Sequence, residues 1–551
     1  MNQIQIFLAL LILLAFSCNS ENRSSNQDAG MDAKADSGES NGSDGDSDTD
    51  TDTDTDTDTD TDIDTDSDTD VDTDNDTDSD TDTDTDSDGD VDAGVYEWHT
   101  FLGSSSSDEI TSIVADENGD IYATGWSKAT WAGPAGETPL HEHSGLLRYD
   151  IFVLKLDTNG SYKWHIFLGS NTSDYYFGDH GVSIALDKTS NVYVTGYSNA
   201  TWSGPDAGTP LNDFAGGLDI FILKLGSNGS YKWHTFLGAS KDDSGYSITL
   251  DTNGNIYVTG KSDGSWSGPG GEPPLNGYSG NVDLFVLKLG SDGSYKWHTF
   301  LGSGDDDIGR SIVVDDAGSP HVAGGSNASW HGPDSGVPLN THSGGTEDIL
   351  IFKLDTDGVY QWHTFLGSNT GDGDMGSSMA LDSNGNIYVT GTSGGTWTGP
   401  SGESPLYNYV GYNDTSIFKL NADGSYYWHS FMGSAQGDYG TSIALTSSGN
   451  VISAGDSYFR WNGPGGQTPV HPHSGSFDFY IMKTNPSGSY RWHTFLGSDF
   501  DDSCQEIALD GNDNLYLGGY SGESWDGPSG EAPLHNYTGS TDILILKLSG
   551  L

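Results

Sequence analysis

The chain has 551 residues and carries 82 acidic against 20 basic side chains, a formal net charge of −62 at pH 7. Of these, 30 acids and 2 bases precede residue 95, which leaves 52 acids and 18 bases, a net charge of −34, for the remainder. This excess excludes nucleic acid and anionic lipid headgroups as expected partners of the folded part, because both would be repelled.

An apolar stretch lies at the start of the chain. Residues 4–16 read IQIFLALLILLAF and are followed by Ser17 and Cys18. The stretch is too short to span a bilayer and is typical of a signal peptide. We interpret residues 1–18 as a lipoprotein signal with Cys18 as the acylated residue; a plain secretory signal is the alternative, because no Lys or Arg precedes the apolar residues. We therefore expect an outer-membrane lipoprotein exposed at the cell surface, held to the membrane by its lipid anchor only, or otherwise a secreted protein.

A run of alternating aspartates follows this signal. From Asp44 to Asp92 every even position is Asp, 25 in all, interleaved mainly with Thr and Ser. Such a segment has no apolar surface to bury. We predict that residues 19–94 form a disordered tether, which at about 3.3 Å per residue reaches at most about 250 Å.

From residue 95 onward the chain is repetitive. A Trp-His pair recurs seven times at intervals of 64 to 69 residues, and each unit reads as four short strand-forming runs, A to D, split by Gly, Asn and Asp turns. Four antiparallel strands repeated about an axis make a β-propeller. Residues 95–551 are therefore predicted to be all-β, a seven-bladed β-propeller of four-stranded antiparallel blades. The tryptophans of the pairs are Trp98, Trp164, Trp233, Trp297, Trp362, Trp428 and Trp492.

The two ends of the repeat region are incomplete in complementary ways. The region begins with an isolated D strand, YEWHTFLG (96–103), and ends on an isolated C strand, DILILKLSG (542–550). We predict that the N-terminal strand completes blade 7 and closes the ring, which leaves no unpaired inner edge for aggregation. A monomeric disc is expected.

The repeat resembles a known family. Copies such as DIFILKLGSNGSYKWHTFLG (219–238) are similar to the β-propeller repeat called SBBP, over residues 96–551. The resemblance implies a seven-bladed fold in a bacterial secreted or surface protein and supplies no shared catalytic set. The chain departs from the family pattern in its B-to-C loop, which has about 20 residues of the form S-x-x-x-W-x-G-P-x-x-x-x-P-L.

These long B-to-C loops are the first candidate site. Each presents a Trp, then Gly-Pro, then Pro-Leu or Pro-Val. An ordered loop with an exposed aromatic ring can bind a sugar by stacking, and seven such loops would bind a multivalent glycan with avidity. The alternative is that each Trp covers the flank of its own blade. The residues are Trp131, Trp202, Trp266, Trp330, Trp397, Trp461 and Trp525.

Aspartates of the D-to-A loops are the second candidate site. One stands five residues before the central Ile or Met of every A strand, and several have acidic neighbours. Carboxylate oxygens are the ligands that Ca²⁺ prefers, so we consider a calcium-binding channel mouth; capping of the turn is the alternative. The residues are Asp108, Asp179, Asp243, Asp307, Asp374, Asp438 and Asp502, with Asp305 and Asp306 beside Asp307.

Histidines break the repeat in three neighbouring blades. The B-to-C loops of blades 6, 7 and 1 contain PVHPHSG, PLHNYTG and PLHEHSG. His-x-His pairs supply imidazoles at short spacing, as a transition metal requires, and surface histidines without a ligand are the alternative. The residues are His141, His143, His471, His473 and His535.

These observations predict a binding or scaffold module for a protein or glycan ligand of the envelope or the extracellular space. The alternatives are a multivalent glycan-binding lectin or adhesin, and a hydrolase or lyase that uses the loop face. No catalytic residue is identified, and no cofactor is required beyond a candidate Ca²⁺.

Overall fold

The structure, a computed structural model, describes residues 94–145, 148–171 and 178–551. The predicted signal with Cys18 and the predicted tether up to residue 93 lie outside the described residues. The described part consists of strands joined by turns and loops, with two short 3₁₀ turns at Pro205–Ala207 and Pro333–Ser335.

Strand β1 spans Val95–Leu102, and the following strands group into four-stranded sheets. Blade 1 contains β2 (Asp108–Ala115), β3 (Ile121–Ser127), β4 (Asp150–Leu156) and β5 (Tyr162–Leu168); blade 2 contains β6 (His180–Leu186), β7 (Val192–Ser198), β8 (Asp219–Leu225) and β9 (Tyr231–Leu237). Blade 3 contains β10 (Asp243–Leu250), β11 (Ile256–Ser262), β12 (Asp283–Leu289) and β13 (Tyr295–Leu301). Blade 4 contains β14 (Asp307–Val314), β15 (Pro320–Ser326), β16 (Asp348–Leu354) and β17 (Tyr360–Leu366).

The remaining strands form three more blades. Blade 5 contains β18 (Met375–Leu381), β19 (Ile387–Ser393), β20 (Asp414–Leu420) and β21 (Tyr426–Met432). Blade 6 contains β22 (Asp438–Leu445), β23 (Val451–Ser457), β24 (Asp478–Thr484) and β25 (Tyr490–Leu496). Blade 7 contains β26 (Asp502–Leu509), β27 (Leu515–Ser521) and β28 (Asp542–Ser549), and β1 is its outermost strand. The predicted seven-bladed propeller is confirmed.

Ring closure follows the prediction as well. Strand β1 pairs antiparallel with β28 from Val95 opposite Ser549 to Leu102 opposite Ile543. The first described strand of the chain and the last one thus share a sheet. Because the outer strand of blade 7 comes from the opposite end of the sequence, the disc closes without a free C strand.

The core lies between neighbouring blades. The C strands are almost wholly buried, as in β8, where Ile220, Phe221, Ile222, Leu223 and Leu225 have no solvent-exposed surface. Each hydrophobic cluster combines side chains of two adjacent sheets, so both faces of a blade are covered. This explains the near-continuous apolar runs of the C strands.

The long B-to-C loops lie along the outer D strands. In blade 1 the Leu140 amide donates to the His165 carbonyl oxygen at 2.9 Å, and the Phe167 amide donates to the His141 carbonyl oxygen at 3.1 Å. Both hydrogen bonds recur in all seven blades. The loop therefore occupies backbone groups on the outer edge of the D strand, which would otherwise be a template for pairing with another chain.

Candidate functional site

The loop tryptophans are buried side chains of the propeller. All seven are 4 to 8% exposed. Each stacks face to face on the histidine of the Trp-His pair in its own blade, with ring centroids 3.8 to 4.1 Å apart and interplanar angles of 4 to 11°. One face of each indole is thus covered by an imidazole.

The histidines of the Trp-His pairs fix the loops through hydrogen bonds. In blade 1, His165 Nδ1 accepts from the Tyr162 hydroxyl at 2.7 Å, and Nε2 donates to the Trp131 carbonyl oxygen at 3.1 Å. Burial lowers the pKa of His165 to about 4, so the ring is neutral at pH 7. We call this arrangement of tyrosine, histidine and loop tryptophan the Tyr-His-Trp clamp, and it is present in every blade.

The clamp bears on the glycan hypothesis for the loops. A sugar stacks on an exposed aromatic face, whereas the indoles of the seven clamps are buried against a histidine and the phenylalanine of the D strand. None of these seven indoles has an exposed face on which a sugar could stack. The geometry supports the packing interpretation of Trp131, Trp202, Trp266, Trp330, Trp397, Trp461 and Trp525.

The D-to-A aspartates are buried turn caps. In blade 3, Asp243 Oδ2 accepts the Ala239 amide at 2.6 Å, and Oδ1 accepts the Ser262 hydroxyl. The same contacts, a backbone amide and the last serine of strand B, serve the aspartates of the other blades. All seven are 0 to 1% exposed. Burial raises the pKa of Asp243 to about 7.

A second aspartate lies beside each of these caps. Asp219 at the start of β8 accepts the Ala215 amide at 2.5 Å through Oδ2, while its Oδ1 has no hydrogen-bond partner among the described residues. Gly238 lies between the two carboxylates, where a Cβ atom would be 2.8 Å from Asp243 Oδ2 and 3.2 Å from Asp219 Oδ1. Glycine is required there because any side chain would collide with them.

A calcium site at the channel mouth stays a prediction. The oxygens of the seven caps already accept hydrogen bonds, and of the acidic trio in blade 4 only Asp305 is exposed and Asp306 half-buried. Within residues 94–145, 148–171 and 178–551, no group of three or more His, Cys, Asp or Glu side chains is arranged to hold a metal ion.

The five repeat-breaking histidines bind neighbouring backbone and hydroxyl groups. His143 Nε2 and His473 Nε2 donate to the carbonyl oxygens of Ser127 and Ser457 at 3.0 and 3.1 Å, and His342 of blade 4 makes the same contact with Ser326. The Nδ1 atoms of His471 and His535 lie 2.9 and 2.8 Å from the hydroxyls of Thr494 and Thr100. His141 Nδ1 lies 2.9 Å from the Phe167 carbonyl oxygen.

Asparagines take the place of these histidines in other blades. Asn212, Asn276 and Asn340 donate through Nδ2 to the threonine hydroxyls that correspond to those beside His471 and His535. At this position the contact with the loop is therefore made by either residue type, and a transition-metal site at the histidines stays a prediction. The structure does not bring the five histidines into one cluster among the described residues.

The residues that differ most in chemistry from blade to blade line a cavity on the propeller axis. Every A strand has a β-bulge, and its extra residue faces the cavity. We call these residues the bulge ring: Thr111, Val182, Tyr246, Arg310, Ser377, Thr441 and Gln505. The cavity has a volume of about 320 Å³.

A second ring lines the same cavity directly after the bulges. It consists of Ser112, Ser183, Ser247, Ser311, Ser378 and Ser442, with Glu506 in blade 7, and we call it the serine ring. Each hydroxyl accepts a backbone amide of the next blade, as Ser183 Oγ accepts from Ile248 at 3.3 Å. Glu506 Oε2 completes the circle by accepting the Ile113 amide at 3.0 Å and the Ser112 hydroxyl.

Sequence reasoning missed Arg310 and Glu506. The histidines that depart from the repeat lie in the B-to-C loops, whereas these two charged residues are single departures inside A strands. Aligning the A strands on their central Ile or Met would have shown Ser in six blades and Glu in the seventh at the same position. The one-residue bulge before that position is a feature of the backbone pairing and is not visible in the residue pattern.

Comparisons with known proteins agree with the fold. The SBBP family, described as a beta-propeller repeat, matches residues 97–130, 176–201, 232–265 and 361–396. An uncharacterized WD repeat-containing protein of Acanthamoeba polyphaga mimivirus is 24% identical over 77% of this chain and 36% of its own length. The regulatory protein FlaEY of Caulobacter vibrioides is 27% identical over 47% of this chain and 25% of its own. The chain thus spans about a third or less of these relatives.

Solved structures show a likeness in fold alone. Sqt1 of Chaetomium thermophilum is 11% identical with a TM-score of 0.38, covering 83% of this chain and 99% of that one. A polysaccharide lyase described as an ulvan lyase is 10% identical with a TM-score of 0.38, covering 82% of this chain and 96% of that one. In the part of the chain that the structure describes, no helix is long and apolar enough to cross a membrane.

Proposed function

We propose that this seven-bladed β-propeller, four segments of which match the SBBP repeat, is a binding module of the bacterial cell envelope whose ligand enters the axial cavity. One observation carries the proposal. The blade-building residues repeat seven times, whereas the bulge ring holds an arginine, a tyrosine, a glutamine, a valine and three hydroxyl residues. A lining of this kind is suited to one asymmetric ligand rather than to seven equal ones.

The size and lining of the cavity support a small polar ligand. Its volume of about 320 Å³ lies at the lower end of the range of about 300 to 1,000 Å³ for small-molecule sites. It corresponds to about ten water molecules at about 30 Å³ each. Since the lining is mainly hydroxyl groups, hydrogen bonds rather than apolar burial would select the ligand.

We expect that blocking the cavity abolishes ligand binding. Ser377→Trp adds a large ring at a bulge position, and the full chain would be screened against sugars, sugar acids and cell-envelope polysaccharides beside this variant. Gln361→Trp, at an exposed position on β17, is the matched control. A ligand retained by the parent and by Gln361→Trp and lost in Ser377→Trp supports the proposal. Binding that Ser377→Trp leaves intact would place the site elsewhere on the disc.

The anchor is a separate part of the proposal. Acylation of Cys18 would hold the protein at the membrane, because a covalently attached acyl chain inserts into the bilayer. We expect Cys18→Ser to move the protein from the membrane fraction to the soluble fraction. Cys504→Ser, which changes the other cysteine, a buried one, should leave the distribution as it is. Membrane partition that is equal in Cys18→Ser and the parent would contradict lipidation.

A further inference from the structure

The serine ring presents hydrogen-bond donors to the axial cavity. A serine hydroxyl has one proton to donate and two lone pairs to accept with. Ser183, Ser247, Ser311, Ser378 and Ser442 each accept a backbone amide of the next blade, and none donates to another described residue. Five hydroxyl protons, one from each of five consecutive blades, are therefore left for whatever occupies the cavity.

Three other hydroxyls on the cavity wall already donate to protein acceptors. Thr111 Oγ1 donates to the Gly181 carbonyl oxygen at 2.7 Å, and Thr441 Oγ1 donates to the Ala454 carbonyl oxygen at 3.3 Å. The Ser112 hydroxyl donates to Glu506. The hydroxyl protons that the serine ring leaves for a ligand therefore lie in blades 2 to 6, on one sector of the cavity wall.

Arg310 lies in the middle of that sector, on the bulge of blade 4. It is the one basic residue among those that line the cavity. Its Nε atom is buried and has no hydrogen-bond partner among the described residues. Among the same residues the Arg310 guanidinium forms no ion pair within 4.0 Å. Glu347 is nevertheless close enough to be affected by its charge. Burial raises the pKa of Glu347, and the positive charge of Arg310 offsets part of that increase.

Glu506, the acidic residue of the cavity wall, does not form an ion pair with Arg310. Glu506 is in blade 7, on the other side of the ring, where it accepts the Ser112 hydroxyl and the Ile113 amide. Burial raises the pKa of Glu506 to about 7, so its negative charge is also reduced near neutral pH. The cavity thus has a donor-rich side, where Arg310 forms no ion pair within 4.0 Å with a described residue, and an opposite side, where Ser112 and Glu506 hydrogen-bond to each other.

We propose that the axial cavity binds a small carboxylate ligand of about hexose size, with the carboxylate on Arg310 and the remaining oxygens on the hydroxyl protons of the serine ring. A carboxylate matches the fork of a guanidinium in geometry and charge. A sugar acid adds hydroxyl oxygens that accept from the serines. This inference rests on the proposed function, since it names the ligand class of the same cavity.

The test compares an acid with its neutral counterpart on the full chain. Galacturonate and galactose share a ring and differ in the carboxylate, and calorimetric titration of each gives a Kd. We expect galacturonate to bind about tenfold or more tightly than galactose, since hydrogen bonds between two charged groups are stronger than those between neutral groups. Equal Kd values for the two sugars would overturn the proposal.

Arg310→Gln provides the decisive variant. Glutamine is the residue that blade 7 has at the same bulge position, Gln505, so the backbone accommodates it. We expect this variant to bind galactose as the parent does and to lose the preference for galacturonate. Arg491→Gln, which removes an exposed arginine from β25, is the matched control and should keep the preference.

The outcomes separate this inference from the proposed function. A preference for the acid that persists in Arg310→Gln contradicts the assignment to Arg310. Loss of all sugar binding in Ser377→Trp, together with equal binding of acid and neutral sugar in the parent, would uphold the cavity as the site and reject the carboxylate. Sugar binding that survives Ser377→Trp would reject both.

Discussion

A chain that lacks residues 95–102 is expected to lose the cooperative thermal unfolding of the intact disc and to aggregate on heating. The deletion removes β1 with its seven paired residues on β28, and it removes the buried side chains of Trp98, His99, Phe101 and Leu102. Truncating one buried Phe or Trp costs about 3 to 5 kcal/mol, while a domain has about 5 to 15 kcal/mol in all. The exposed edge of β28 would then be free to pair with other chains.

The control for this deletion is a deletion of equal length in the aspartate-rich segment. Removing residues 53–60 takes out eight residues of the predicted tether, outside the strands that the structure describes. Calorimetry and light scattering on both variants measure the melting temperature and the aggregation. If the chain without residues 95–102 melts like the parent, β1 does not hold the ring closed.

The second large effect is expected at a Tyr-His-Trp clamp. Trp461→Ala should lower the free energy of unfolding by about 3 to 5 kcal/mol, because a 6% exposed indole leaves a cavity and uncovers the ring of His493. Phe459→Ala in the same loop removes an aromatic ring that is 56% exposed and should cost much less. Denaturant unfolding of both variants measures the difference. Equal losses would mean that the loop tryptophans do not act as packing residues.

The fold was readable from the sequence because its signals are local and occur seven times. Each Trp-His pair marks a D strand, each Gly or Asn turn separates two strands, and the unmatched strands at residues 96–103 and 542–550 can only complete one another. The ring closure between β1 and β28 joins the two ends of the described part of the chain and was still predictable, because counting strands in the repeats requires it.

The candidate sites were less predictable because their meaning depends on partners distant in sequence. Trp131 has the signature of a recognition residue until His165, 34 residues later, is found stacked on it. The turn-cap interpretation of Asp243 rests on the hydrogen bond from the Ser262 hydroxyl, 19 residues later, which the local sequence does not reveal. Arg310 gave no signal, since its exposure to the cavity depends on a bulge between Gly309 and Ser311.

The buried aspartates and histidines of the blades determine how the stability of the disc depends on pH. Burial raises the pKa values of the seven cap aspartates to about 6 or 7. Between about pH 4 and 7 these carboxyls are therefore protonated in the folded chain and ionised in the unfolded chain. Their contribution to stability declines as the pH rises through this range. The clamp histidines, whose pKa values burial lowers to about 4, have the opposite effect. Below about pH 6.5 the histidines of the unfolded chain bind protons while those of the folded chain stay neutral, so their contribution to stability declines as the pH falls.

The balance between the two is set within each blade. Burial also raises the pKa of the aspartate at the start of each C strand. Every repeat therefore has two carboxyls with raised pKa values and one clamp imidazole with a lowered pKa, and the two kinds of group affect stability in opposite directions. Because these aspartates outnumber the clamp histidines, we expect their combined contribution to the stability of the propeller to decline as the pH rises from mild acid to neutral. Because this ratio belongs to the repeat, a disc with more or fewer blades would respond to acidity in the same direction.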